Sequence, residues 1–389
     1  MRTRKLVSFA ILIAIIALGA FAQTAPAAKG KPEAPPPRFF DTAPEPHAKP
    51  RLTILYPTTG TIKALVALKE QGLLPAADIE IVGVHHAKET SNYKAAYKYV
   101  EDNKIDWLKF HVVSAEIGLA DIWKPNAATK EFETIFAKSD GVIFFGGPDI
   151  VPAAYGEKTR LLTGIEDPYR HWLELSFVFH LLGGSQNPAA PALLDKRPKF
   201  AVLGICLGSQ TLNVGTGGTL VQDIWSETYG LSYYEDVVAL GQPNWHTNPW
   251  RKLDPLDKKL IPYMLHPIKL VGDGILCAGL GFKPADEPYV TSAHHQAAAK
   301  MGQGLKIAAT SLDGKVVEAL GHAKFPNVLG VQFHPEFPMI WDAKTEYHFT
   351  PKDKDLFTVN GFLKAHAPSL DFQKKIWTWF FDKVKKVAN

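Results

Sequence analysis

The stretch Lys199-Phe-Ala-Val-Leu-Gly-Ile-Cys-Leu-Gly-Ser-Gln-Thr-Leu212 admits few folds. Residues 200–205 form a short apolar run of the kind found in a parallel strand covered on both faces. From Gly208 onward the pattern is helical, with Leu212 on the apolar side. Cys206 stands between the two, flanked by Gly204 and Gly208. Small residues on either side permit a sharp strand-to-helix turn, which lifts the middle side chain over the sheet edge. A helix N-terminus beneath a cysteine favours the thiolate, the nucleophilic form. A buried cysteine is also a common small core residue, and this segment alone does not decide between the two.

A second stretch, Val328-Leu-Gly-Val-Gln-Phe-His-Pro-Glu336, reads as another buried strand that ends in polar residues. A cysteine nucleophile needs a base, and the base needs a carboxylate to orient it. His334 is placed to take the thiol proton and Glu336 to fix the imidazole tautomer.

Together, Gly204-Ile-Cys-Leu-Gly-Ser-Gln210 and Gly330-Val-Gln-Phe-His-Pro-Glu336 resemble the class I glutamine amidotransferase superfamily. Two more segments, Phe144-Phe-Gly-Gly-Pro-Asp-Ile-Val-Pro-Ala-Ala-Tyr-Gly-Glu157 and Thr291-Ser-Ala-His-His-Gln296, resemble its γ-glutamyl hydrolase branch, which includes the γ-glutamyl-γ-aminobutyrate hydrolases. The resemblance spans residues 141–336. It implies acyl transfer through a Cys206 thioester, with oxyanion donors at the backbone N–H groups of Gly147 and Leu207. It also implies glutamyl contacts from Gln210, Ser292 and His294. For His294 a buried structural role stands beside substrate contact. Leu207 occupies a position where close relatives of the aminobutyrate branch often carry Arg, which leaves the amine side of the substrate open.

Strands at 52–56, 79–84, 108–113 and 141–145 alternate with helices at 62–71, 92–102 and 129–138. That alternation predicts an α/β fold, a doubly wound and mostly parallel sheet with helices on both faces. The resemblance makes it flavodoxin-like, of the class I glutamine amidotransferase type. Ligands in such sheets bind beyond the carboxyl ends of the strands, where Gly147, Cys206 and His334 all fall. A helix over 167–182 is apolar all round and is expected to be buried. Further strands are expected at 268–270, 275–277 and 305–309, with 316–319 returning as a hairpin, which makes the C-terminal part β-rich. The aromatics of 225–255 could shape a pocket near the site, although such residues more often pack; segment 337–367 is longer than the family pattern, and a last helix covers 372–387.

Arg2, Arg4 and Lys5 precede an apolar run over 6–21 and the small-x-small site Ala20-Phe-Ala22. Residues 1–22 are therefore expected to be a signal peptide, with export to the periplasm or medium; the run is short for a spanning anchor. Residues 23–50, rich in Pro and Ala, are expected to be a linker, and 51–389 the catalytic domain. Loss of the leader takes the formal net charge from +4 to +1. That balance gives no reason to expect nucleic acid or an anionic membrane as a partner. In an exported protein the two cysteines, Cys206 and Cys277, could instead pair as a disulfide. No Walker loop, dinucleotide fingerprint or zinc-ligand spacing is present, so no cofactor or metal is expected.

The leading expectation is an exported cysteine hydrolase of γ-glutamyl amides that acts on a small molecule. A glutaminase subunit delivering ammonia to a partner is the alternative, and a non-catalytic binding protein of the same fold is a third.

Overall fold

A computed structural model describes residues 35–388. The expected signal peptide lies outside the described residues, as does most of the expected linker. Residues Pro37–Asn389 form one unit; the other, Met1–Pro36, has only its last two residues described.

Ten strands make one sheet: β1 Arg51–Leu55, β2 Glu80–His86, β3 Leu108–Val113, β4 Gly141–Phe144, β5 Ala201–Ile205, β6 Met264–Leu270, β7 Tyr289–Ser292, β8 Leu305–Ser311, β9 Val317–His322 and β10 Val328–Val331. Their spatial order is 3-2-1-4-5-10-9-8-6-7. The first six are parallel, and every later pairing is antiparallel. β1, β4, β5 and β10 are buried at every position, which is why β4, β5 and β10 read as unbroken apolar runs. Six main helices accompany the sheet: α1 Thr59–Glu70, α2 Tyr93–Asp102, α3 Thr129–Ala137, α4 Pro168–Leu182, α5 Leu207–Gly215 and α6 Ser369–Ala388. α1 and α6 cover one face through Ile62, Leu65, Phe372 and Ile376. α3 and α4 cover the other through Phe132, Ile135, Phe177 and Leu181. The α/β architecture is as expected. Among the described residues, no helix is long and apolar enough to cross a membrane.

Two local expectations differ. The apolar run at 275–277 is a short helix, Ile275–Ala278, begun at Gly274. Four residues closed by Gly279 hold one helical turn, and apolarity at that length does not separate helix from strand. The expected linker already packs from Pro37 onward. The Val112 N–H donates to the Pro37 carbonyl at 2.8 Å, and Phe40 is 1% exposed. Phe40 is joined there by Arg38, which donates to the Val112 carbonyl at 2.7 Å and pairs with Glu131 at 2.6 Å. Segment 337–367 carries a small antiparallel pair, Glu346–Tyr347 with Phe357–Thr358, and a helix, Val359–Ala365. This segment and the aromatic-rich one bury Trp225, Trp245, Ile340, Phe349 and Leu363 in one shared cluster. Apart from the exposed Tyr233, the aromatics of 225–255 pack, and much of what they pack on is the unexpectedly long segment.

Candidate functional site

Cys206 follows β5 and precedes α5. Its backbone adopts φ 52°, ψ −108°, a positive φ that an L-residue rarely takes. Two contacts hold it there. The Cys206 N–H donates to the Val331 carbonyl at 2.8 Å. The turn also brings α5 hard against β4: a Cβ on Gly208 would stand 1.9 Å from the Phe144 carbonyl oxygen. Only glycine fits this approach, and the glycine lets the cysteine stand at the sheet edge. Cys206 and Cys277 are both free thiols, so the disulfide alternative does not hold.

The neighbouring parallel strand, β10, delivers the imidazole. Val331 pairs with Ile205, so the chain beyond each strand leaves the sheet at the same level. His334 Nδ1 meets Glu336 Oε1 at 2.7 Å. A carboxylate only accepts, so Nδ1 carries the proton and Nε2 is left for the Cys206 sulfur, which lies near enough to act on the charge of the ring. Cys206, His334 and Glu336 are each under 8% exposed. Burial works against charge on the imidazole, but the Glu336 carboxylate and the Cys206 sulfur outweigh it and raise His334 to about 10. The imidazole plane is fixed by stacking on Phe337 at 4.1 Å, and Phe337 stacks in turn on Tyr263 at 4.1 Å. From below, the buried Trp377 of α6 donates its indole N–H to the Pro335 carbonyl at 3.0 Å.

The third component is the loop after β4. A Cβ on Gly146 would lie 2.8 Å from His334 Cε1 and 3.4 Å from Cys206 Cβ. The loop is held from behind by Arg170 on α4, which sequence reasoning missed. Its guanidinium donates to the carbonyls of Phe145 (2.6 Å) and Gly146 (3.1 Å) and pairs with Glu174 at 2.7 Å. It also lies 3.6 Å over the ring of Tyr56. A trans peptide carries its C=O and N–H on opposite sides. Pinning the Gly146 carbonyl toward Arg170 therefore turns the Gly147 N–H away from it. Leu207 is the first residue of α5, so its N–H has no acceptor within the helix. At the outer end of the loop, Asp149 and Asp223 hold His295 between them at 3.2 and 3.3 Å. Burial lowers that imidazole, but the two carboxylates outweigh it and raise it to about 9.

The remaining expected site residues face elsewhere. Gln210 Nε2 donates to the Gln296 carbonyl (3.2 Å) and Gln332 Oε1 (3.3 Å), and Gln332 Nε2 reaches the Cys206 sulfur at 3.7 Å. Gln210 therefore supports the elbow from inside. The Ser292 hydroxyl meets His266 Nε2 at 2.7 Å, and His294 Nδ1 meets the Gln296 carbonyl at 3.0 Å. Both residues are buried, and their polar atoms are turned to a separate inner cluster. The signal for Arg170 and Glu174 was present: an i,i+4 charged pair inside an otherwise apolar helix has to be a buried ion pair.

A thiol, an imidazole and a carboxylate in series beside free backbone N–H groups are equipped for acyl transfer. The chain is 28% identical over 272 residues to a glutamine amidotransferase-like protein, YvdE, of Lactococcus lactis, covering 68% of this chain and 95% of that one. It is 29% identical over 209 residues to the γ-glutamyl-γ-aminobutyrate hydrolase PuuD of Escherichia coli, covering 53% and 67%. Residues 80–336 match the peptidase C26 family, and that span contains β2 through β10 and the Cys206, His334 and Glu336 set. The chain belongs to the peptidase C26 family and is a cysteine-type amidohydrolase with γ-glutamyl hydrolase- or amidotransferase-like activity.

Proposed function

We propose that the protein hydrolyses γ-glutamyl amides of small amines through a thioester on Cys206. The observation that carries the reading is the run from Cys206 through His334 to Glu336 across two adjacent parallel strands. The Cys206 thiolate attacks the γ-carbonyl carbon, and the carbonyl oxygen takes the charge. The N–H groups of Gly147 and Leu207 stabilise that oxyanion, each by about 3 kcal/mol in the transition state. The C–N bond then breaks as the His334 imidazolium protonates the departing amine. His334 next takes a proton from water, the hydroxide attacks the thioester, and glutamate leaves as Cys206 regains its thiolate. Glu336 keeps the imidazole in one tautomer and stabilises its charged form.

The test is a panel of γ-glutamyl amides, peptides and free glutamine, assayed with the purified chain before and after iodoacetamide. Turnover is expected on at least one γ-glutamyl amide and to disappear in step with alkylation of Cys206. Cys277 should lag, because burial raises its thiol. No turnover of any panel member, or full activity after Cys206 is labelled, would sink the reading. The Lactococcus relative favours a second reading, a glutaminase. Ammonia release from glutamine that exceeds every other rate would select it.

We further propose that the protein acts after export, on the strength of the basic, apolar and small-residue pattern of residues 1–22. A reporter fused after residue 40 is expected outside the cytoplasm, and a wholly cytoplasmic reporter would overturn this.

A further inference from the structure

Three imidazoles converge on one carboxylate inside the antiparallel wing of the sheet. His246 comes from the aromatic-rich segment, His266 from β6, His294 from the turn after β7, and Glu318 from β9. All four are buried, and one ligating atom from each lies within 4.8 Å of the other three. His246 Nδ1 is 3.1 Å from Glu318 Oε1, His266 Nε2 is 3.8 Å from the same oxygen, and His294 Nε2 is 3.7 Å from Oε2.

The hydrogen bonds around the cluster fix which atoms face inward. His294 Nδ1 lies against the Gln296 carbonyl at 3.0 Å, and His266 Nδ1 against the Pro267 carbonyl at 3.2 Å. A carbonyl only accepts, so both Nδ1 atoms carry the proton. Each neutral ring then presents an Nε2 lone pair to a carboxylate that also only accepts. This is the arrangement in which a metal-bound histidine is oriented by a carbonyl at its other nitrogen. Among the described residues, His294 Nε2, both His246 nitrogens and both Glu318 oxygens have no hydrogen-bond partner, and His246 Nδ1 is misaligned with Oε1 despite its closeness. Buried acceptors that face each other repel unless positive charge lies between them.

We infer that His246, His266, His294 and Glu318 form a structural site for a dication of the zinc type. Imidazole nitrogen with one carboxylate is the donor set such ions favour. Ligands bound at the usual zinc distances stand about 3.3 Å apart around a tetrahedron. The three histidine–carboxylate pairs at 3.1–3.8 Å approach that spacing, and every pair of donors lies within 4.8 Å. Binding requires the Ser292 hydroxyl to rotate off His266 Nε2. Four protein ligands in a closed interior leave no position for water, so the ion braces the fold and takes no part in hydrolysis. What it braces adjoins the thiol. The Gln332 N–H donates to the Glu318 carbonyl at 2.8 Å, and the His334 N–H donates to the Thr291 carbonyl at 2.7 Å. The sequence shows no ligand spacing for this site because its donors come from four separate elements.

The test uses the full chain carrying Cys206→Ala, which removes a competing thiolate and makes the outcome independent of the hydrolase reading. The protein is stripped with chelator and titrated with Zn²⁺ against a chromophoric competitor, with melting curves alongside. We expect one tight equivalent and a rise in Tm of about 5–10 °C at saturating zinc. Glu318→Gln and His294→Ala should each weaken binding at least 100-fold and remove the Tm rise. If the Cys206→Ala chain itself binds no equivalent, or its Tm does not move, the site is refuted; this arm does not depend on either variant folding. Zinc retained at full affinity by both variants places the ion elsewhere and overturns the inference as well.

Discussion

Single-turnover hydrolysis by His334→Ala is expected to fall by about 10⁵-fold, as far as by Cys206→Ala, and the double variant should fall no further. The reason is the geometry at the strand ends. His334 is shared between the sulfur and Glu336, so its loss removes thiol activation and amine protonation together. Without it the thiol has no further function to lose. Glu336→Gln retains a hydrogen-bond partner for Nδ1 and loses only the charge, so it should keep about ten to a hundred times more rate. Stability will not be untouched. His334→Ala empties the stack on Phe337 and leaves the buried Glu336 carboxylate without its partner, at a cost of about 1–3 kcal/mol. All assays therefore belong well below the lowered Tm. A pH readout separates the charge pair from mere packing. His334 titrates at about 10 in the folded protein, above its ordinary value of 6.5. Its contribution to stability is thus fully present below about pH 6.5 and is lost as pH rises toward 10. In Cys206→Ala one of the two groups that hold the imidazole charged is gone, so His334 should titrate at lower pH by NMR. A near-wild-type rate in folded His334→Ala, or an unchanged His334 titration in Cys206→Ala, would dismantle the triad.

Arg170→Met should destabilise the protein by about 3–5 kcal/mol, because Glu174 is left as an uncompensated buried charge. For a chain of this size that is a Tm loss of about 4–7 °C. The rate should fall as well, by about 10²–10³ in kcat with little change in KM, since a misdirected Gly147 N–H fails the oxyanion and leaves ground-state binding intact. Adding Glu174→Leu distinguishes the two losses. Removing both charges relieves the burial penalty and should recover most of the Tm. The Gly146 carbonyl still lacks its clamp, so kcat should stay low. A double variant that regains full kcat would show that Arg170 only stabilises the fold and does not position the loop.

How far the sequence revealed this arrangement depended on how local each signal was. The elbow at Cys206 was legible because its glycines, strand and helix are contiguous. His334 and Glu336 were legible because two residues after a buried strand are placed by that strand. The parallel half of the sheet followed from simple alternation. Arg170 was hidden by its own helix, whose apolar residues dominated the reading. Ser292 and His294 were assigned through resemblance to the pocket, whereas their polar atoms turn inward to His266 and Gln296. His246 lay among tryptophans and read as packing. Its partners in the cluster are set by tertiary pairing of β6, β7 and β9, which no local pattern carries. The helix at Ile275–Ala278 and the packed start at Pro37 are short segments decided by tertiary contacts.

The strand order also governs when the thiol becomes competent. β4 and β5 are close in sequence, but β10, whose Val331 carbonyl holds the elbow, joins β5 only after a long excursion of the chain. Cys206 and Gln332 are 126 residues apart in sequence. Closing so large a loop is among the slow steps of folding. A chain still being completed therefore carries a cysteine with no base and no carboxylate beside it. Hydrolysis begins only once the most distant pairing in the sheet has formed, so enzymatic activity reports completed topology more strictly than helix content or compactness would.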